Sequence, residues 1–322
     1  MKFVGLLVLM VFASGVVRAD YSEHPLAQSF IDKMVNEHGF EEGFLRDTLK
    51  QAERKESILK AISRPAEKRL NWAEYSKIFL TEKRIRFGKE FMLKYAAVLE
   101  RAESEFGVPK EIITAIIGVE TRYGQNKGSY RVLDALTTLG FDYEPRGKFF
   151  TKELTQMFLL AREQGFNVAD LKGSYAGAMG YGQFISSSYR HYAVDFDGDG
   201  VVDILNNPVD AIGSVANYFK EHRWHEGKPV AERADLSDLD YQGLLNKSLK
   251  PKYQMADLRA KGLLGFEEVP DDAAVKILDL QGDEGQETWL AWHNFYVITR
   301  YNHSHLYAMA VYQLSKEIFE AR

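Results

Sequence analysis

Glu120 is the residue whose surroundings most suggest chemistry. Pro109 is expected in the first turn of a helix whose residues Ile113, Ile116 and Ile117 share one face. Glu120 falls four residues after Ile116 and three after Ile117, so its carboxylate rides on that apolar face. A carboxylate among apolar side chains resists ionisation and holds a proton toward neutral pH, as a general acid must before it protonates a leaving group. The spacing predicts a helix end at Tyr123-Gly124, with Glu120 in the last turn at the lip of a cleft. Periodicity alone leaves a second assignment open, a glutamate paired with Arg122 or Arg146 at a helix end.

A second acidic constellation has a different character. Asp195, Asp197, Asp199 and Asp203 occupy positions 1, 3, 5 and 9 of an EF-hand-like loop, with Gly200 at position 6 and Val201 offering its carbonyl at position 7. Four aspartates so spaced repel one another without a cation, which points to one bound calcium. Position 12 is Asn206 where a bidentate glutamate is usual, so the affinity is expected to be weak, roughly 10⁻⁴–10⁻³ M, unless Asp210 folds back as a ligand. The loop joins two other candidate segments, so the ion is expected to stabilise the fold without doing chemistry. The first of those segments, Ser174 to Ile185, is rich in glycine and alanine and carries Gln183 to hydrogen-bond a ligand. Arg300-Tyr301-Asn302-His303-Ser304 adds an amide and an aromatic ring just ahead of a closing helix.

These groups need elements to hold them. Residues 1–19 read as a cleaved export signal: Lys2, an apolar run from Val4 to Ala13, then Val17-Arg18-Ala19, too short for a membrane span. The chain has no cysteine, hence no lipid-bearing cysteine and no disulfide, so the mature protein is expected to be periplasmic, soluble and held by its core. Residues 20–110 show helical spacing, as at Phe30, Ile31, Met34 and Val35. Residues 111–226 are expected to form the core with the acidic loop. Residues 227–294, with Pro229, Pro251 and Pro270 and short apolar stretches, read as a small β-rich insertion, and 295–322 return to helical spacing. The fold class is therefore mainly α with a small β insertion.

Loss of the signal removes Lys2 and Arg18 and leaves 39 basic against 46 acidic residues, a poor balance for binding nucleic acid. His222 and His225 lack an HExxH pattern, and there is no phosphate loop and no Gly-x-Ser-x-Gly elbow.

Glu120-Thr121-Arg122-Tyr123-Gly124, Gly177-Ala178-Met179-Gly180 with Gln183-Phe184, Asn207-Pro208-Val209-Asp210 through Tyr218, and Arg300-Tyr301-Asn302 together resemble the signatures of lytic transglycosylases. The resemblance is to the membrane-bound lytic transglycosylase B family and its soluble forms, and it runs from about Trp72 to the C-terminus. It implies a helical domain, a lysozyme-like core and a small β domain, with peptidoglycan glycan strands crossing the core and other cell-wall enzymes as candidate partners. The family's catalytic glutamate matches Glu120, and its groove-lining residues match Tyr75, Arg146, Met179, Gln183, Tyr218, Tyr301, Asn302 and Tyr307. The family pattern carries two adjacent arginines after Phe-Asp-Tyr, whereas this chain reads Phe141-Asp142-Tyr143-Glu144-Pro145-Arg146 and supplies one.

The resemblance also implies a mechanism with one carboxylate, where most glycosidases use two. The substrate's own acetamido oxygen serves as nucleophile and a 1,6-anhydro sugar forms without water. Asn302 and Tyr301 would orient the acetamido group, and Gln183 and Met179 would line the wall. Two rivals stand beside this reading. A goose-type muramidase would deliver water and leave a reducing end, and a calcium-stabilised glycan-binding scaffold would not turn over at all.

Overall fold

The computed structural model describes residues 20–63 and 70–320, so the expected export signal at 1–19 lies outside the described residues. The chain divides into two compact units at Arg54 and Lys55. In the first, helices α1 (Ala27–His38) and α2 (Glu42–Gln51) bury Phe30, Ile31 and Met34 from one and Leu45 and Leu49 from the other. Those positions recur every three or four residues, as an amphipathic helix requires.

The second unit is built around α7 (Lys110–Thr121), in which every residue from Ile112 to Val119 is buried. A helix apolar on all sides must be surrounded. Here α5 (Glu82–Lys94), α6 (Ala96–Phe106), α11 (Pro208–Glu221) and α14 (His305–Glu320) pack round it. Pro109 sits one residue ahead of the expected first turn. Its ψ of 134° is extended, and its carbonyl accepts the N–H groups of Ile112 at 2.9 Å and Ile113 at 3.2 Å, so it starts the helix as a cap. Around this centre lie α3 (Glu56–Ile62), α4 (Trp72–Phe79), the α8 (Val132–Asp142) and α9 (Gly147–Gln164) pair, α10 (Ser186–Tyr192) and α13 (His293–Tyr301). A two-stranded antiparallel ribbon, β1 (Tyr130–Arg131) against β2 (Lys172–Gly173), ties the start of α8 to the segment ahead of Gln183.

The β-rich insertion is an antiparallel sheet in the order β3 (Ala231–Arg233), β6 (Gly285–Ala291), β5 (Ala274–Gly282), β4 (Tyr253–Gln254), with α12 (Met255–Arg259) following β4. It has its own core of Leu236, Met255, Leu258, Val275, Ile277, Leu290 and Trp292. Lys276 is buried in the same sheet and donates to Asn246 O at 2.8 Å, and burial pushes its ammonium down to about 8. The expected class, mainly α with a small β insertion, is the observed one. Among the described residues no helix is long and apolar enough to cross a membrane.

Candidate active site

The end of α7 is shaped by a sharp reversal. Arg122 and Tyr123 both take left-handed backbone, with φ of 52° and 60°, and their N–H groups donate to Gly118 O and Ile117 O at 3.1 and 3.3 Å. Left-handed backbone is costly for residues with a Cβ and persists only where the surroundings enforce it. Enforcement comes from Tyr123, whose ring folds back onto Gly118 and Gly88, where a Cβ would stand 2.6 Å from its atoms. Its hydroxyl donates to Arg84 O at 2.9 Å. Thr121 closes the arrangement: its hydroxyl reaches Ile117 O at 3.0 Å and Tyr181 O at 2.9 Å and accepts the Gly124 N–H at 2.9 Å. Glu120 is thereby fixed in the last turn of the helix, half-buried, as the apolar spacing predicted.

Tyr307, from the first turn of α14, donates its hydroxyl proton to Glu120 Oε1 at 2.6 Å. At that length the bond holds the carboxyl group in one orientation. Burial, and then the carboxylate of Glu120, push the phenols of both Tyr307 and Tyr301 well above their usual range, so both stay protonated donors. Tyr301 stacks on Tyr307 at 6.5 Å and spends its proton on Gly182 O at 2.6 Å, which ties α13 to the glycine-rich segment. Tyr218 packs on Tyr301 at 4.7 Å and donates to Arg300 O at 2.7 Å. Tyr75, from α4, is buried and acts electrostatically on Tyr307. Glu120, Tyr75, Tyr218, Tyr301 and Tyr307 thus form one cluster assembled from five helices.

The remaining candidates are placed less directly. Met179 is fully buried, so its side chain does not line a wall as expected. It forms a reciprocal backbone bridge with Phe184, each N–H donating to the other's carbonyl at 2.9 Å, and this turns its side chain inward. Gln183 sits in that bridge's turn with φ of 50°, and its amide nitrogen donates to Gly180 O at 3.0 Å and Lys127 O at 3.2 Å. Arg146 is exposed, with its guanidinium 4.4 Å from the Phe149 ring. Together with Arg300 it helps hold the His303 imidazole below its usual range, after burial as the main cause, so it faces the segment that carries Asn302.

The acidic loop is only partly as expected. Asp195, Asp197 and Asp210 bring carboxylate oxygens within 4.8 Å of one another. Oxygens on opposite sides of one calcium, at roughly 2.3–2.6 Å each, lie about 4.6–5.2 Å apart, so this donor set fits the ion. Asp210 does fold back: fully buried, it accepts the N–H groups of Phe196 and Asp203, both at 2.8 Å. Burial raises its carboxyl, while the Asn207 amide, donating at 2.7 Å, holds that of Asp197 down. Asp199 and Asp203 lie outside that group of three, and their carboxylates accept nearby backbone N–H groups, from Val201 at 2.8 Å and from Leu205 and Asn206 at 2.9 Å, as that of Asp195 does from Gly198 and Gly200. Val201 beside them has a half-exposed side chain, and the atom it would offer an ion is its carbonyl oxygen.

Loop and glutamate are mechanically joined by residues that sequence reasoning did not single out. Tyr189 donates to Val202 O at 2.7 Å, Lys127 to Leu205 O at 2.6 Å, and the Tyr181 N–H to Ile204 O at 3.1 Å. Tyr181 O in turn accepts from Thr121, the neighbour of Glu120. The one available signal was a threonine near a predicted helix end, where its hydroxyl competes for backbone partners.

A family model described as "Transglycosylase SLT domain" matches residues 22–316. The chain is 45% identical over 312 residues to the membrane-bound lytic murein transglycosylase B of Escherichia coli (strain K12), covering 94% of this chain and 85% of that one. Its fold superposes with a TM-score of 0.86 on the E. coli lytic transglycosylase Slt35 in complex with calcium, at 46% identity, covering 94% of this chain and 95% of that one. It superposes with a TM-score of 0.79 on SltB3 from Pseudomonas aeruginosa in complex with NAG-NAM-pentapeptide, at 28% identity, covering 90% and 78%. With a family match over nearly its whole length and a relative 45% identical over 94% of it, the chain belongs to the SLT-domain lytic transglycosylases.

Proposed function

We propose that this enzyme cleaves the β-1,4 bond between N-acetylmuramic acid and N-acetylglucosamine in peptidoglycan, in the periplasm after export, with Glu120 as its single acid and base. The observation that carries the reading is the 2.6 Å hydrogen bond from Tyr307 to Glu120, which fixes the carboxyl group at the end of a buried helix. Glu120 begins protonated and gives its proton to the glycosidic oxygen as the acetamido oxygen of the muramoyl ring attacks the anomeric carbon. The N-acetylglucosamine end departs with that proton. Glu120, now ionised and stabilised by the Tyr307 hydroxyl, takes the proton of the muramoyl 6-hydroxyl, whose oxygen closes on the anomeric carbon as the bond from that carbon to the acetamido oxygen breaks and the neutral acetamide is restored. Charge and protons balance with no water consumed, and the product is a 1,6-anhydro ring.

Tyr301 serves this scheme by bracing the Gly182 turn, and Asn302, next to it, orients the acetamido group. Gln183 and Arg146 contact the strand, while Met179, Tyr75 and Tyr218 support from beneath. Calcium held by Asp195, Asp197 and Asp210 stabilises the loop, a role favoured by the donor spacing and by the calcium complex of Slt35. Digesting purified sacculi and weighing the released muropeptides tests the whole. Products one water lighter than their hydrolytic counterparts are expected, and reducing ends would overturn the scheme in favour of hydrolysis.

A further inference from the structure

Beside the reversal that ends α7 lies a cavity of about 180 Å³ which no step above uses. Ile78, Phe87 and Tyr123 form apolar walls, and three cationic side chains, Lys83, Arg84 and Arg122, share the lining. Arg84 is only 7% exposed, and among the described residues its guanidinium makes one hydrogen bond, to Ile78 O at 2.9 Å, while lying 4.9 Å from the Phe79 ring. A guanidinium offers five N–H donors, so most of this group's capacity is unspent on the protein. No carboxylate among the described residues lies within ion-pair distance of Lys83, Arg84 or Arg122. Burial and the like charge of Arg122 both lower the Arg84 pKa, as expected of cations gathered without a counter-ion.

Position adds to the argument. Arg122 follows Glu120 by two residues and is held in left-handed backbone by the packing of its neighbour Tyr123. Arg122 is within reach of a peptide hanging from a muramoyl ring at Glu120, since five extended residues span roughly 17 Å. Each such stem ends in a carboxylate, an anion that a guanidinium can grip with two parallel hydrogen bonds.

We propose that this cavity binds a carboxylate of the peptide stem carried by the substrate, with Arg84 and Arg122 gripping it, Lys83 adding charge and Ile78 and Phe87 packing on its aliphatic portion. The proposal rests on the reading of Glu120 as the reacting centre. It makes the enzyme select glycan strands that still carry peptides over bare ones.

The test measures kcat and KM of the full chain on three strands: one with free-carboxylate stems, the same strand with those carboxylates amidated, and one stripped of peptide. KM is expected to be about tenfold lower on the first than on the other two, and Lys83→Ala with Arg122→Ala should close most of that gap by raising KM on the first alone. Arg84→Gln belongs in the set, but its burial makes misfolding a competing explanation, so the two more accessible positions decide the matter. Equal KM on all three strands, or a gap that survives the double substitution, overturns the proposal while leaving the transglycosylase reading intact. Absence of turnover on every strand instead sinks that reading and the proposal with it.

Discussion

Glu120 and the aspartates of the 195–210 loop are acidic groups in opposite settings. Glu120 is a single carboxylate among tyrosines, and the hydroxyl that fixes it comes from a residue 187 positions away. The loop gathers three carboxylates within 4.8 Å and balances them with backbone N–H groups only two to five residues distant, save for those reaching Asp210. A crowded cluster is stabilised by a cation, whereas a carboxyl set against aromatic rings can hold or release a proton on demand. Damage to the first setting should therefore read out as rate, and damage to the second as stability.

The hardest test of that division is Glu120→Gln. Turnover should fall by at least about 10³-fold, the scale of general acid and base catalysis, with glycan binding retained; muropeptide release and a binding titration measure the two. An active variant would remove Glu120 from the scheme. Tyr307→Phe comes next: losing a hydrogen bond to a charged group should lower kcat about ten- to a hundredfold with the fold intact by circular dichroism. An unchanged kcat would mean that Glu120 needs no such fixing.

Thr121→Val probes the joint between the two settings. It leaves Tyr181 O and the Gly124 N–H short of a partner in a buried position and should cost about 1–3 kcal/mol in denaturant unfolding. No loss would deny that the joint matters. For the loop itself, ~10 mM calcium should stabilise the protein by about 1.4–2.7 kcal/mol if its dissociation constant is ~10⁻⁴–10⁻³ M, and Asp210→Asn should remove the resulting rise in Tm. The smallest effect concerns pH. Burial raises the Asp210 carboxyl, so in calcium-free protein its charge is a penalty that is relieved as pH falls through the raised folded value. Calcium requires the ionised form, so the calcium-dependent rise in Tm should be present above that value and disappear below it. A calcium response that persists in acid would place the ion elsewhere.

The acidic loop was the more legible of the two settings because its geometry is local. Glycine at position 6 and alternating aspartates announce a turn with oxygens pointing inward, and Asp210 was foreseen as a substitute for the missing twelfth ligand. Spacing does not reveal that Asp199 and Asp203 stand outside the group of three while accepting neighbouring N–H groups. Glu120 was visible from its helix face, yet its partner was not, because nothing in the sequence around Tyr307 points back across the chain. Met179 was misplaced for a related reason: which way a residue in a tight turn points depends on the bridge that closes the turn.

The sequence by itself determined what short-range physics controls: the apolar face that carries Glu120, the helical periodicity on either side of it, the acidic turn and the change of texture into the β insertion. Tertiary structure alone decided which hydroxyl meets Glu120, how Thr121 and Tyr181 join it to the acidic loop, and that Lys83, Arg84 and Arg122 converge on one cavity. Periodicity fixes the side of an element on which a residue lies. Which distant element comes to rest against that side is settled only when the apolar faces pack together, and no local pattern records that choice.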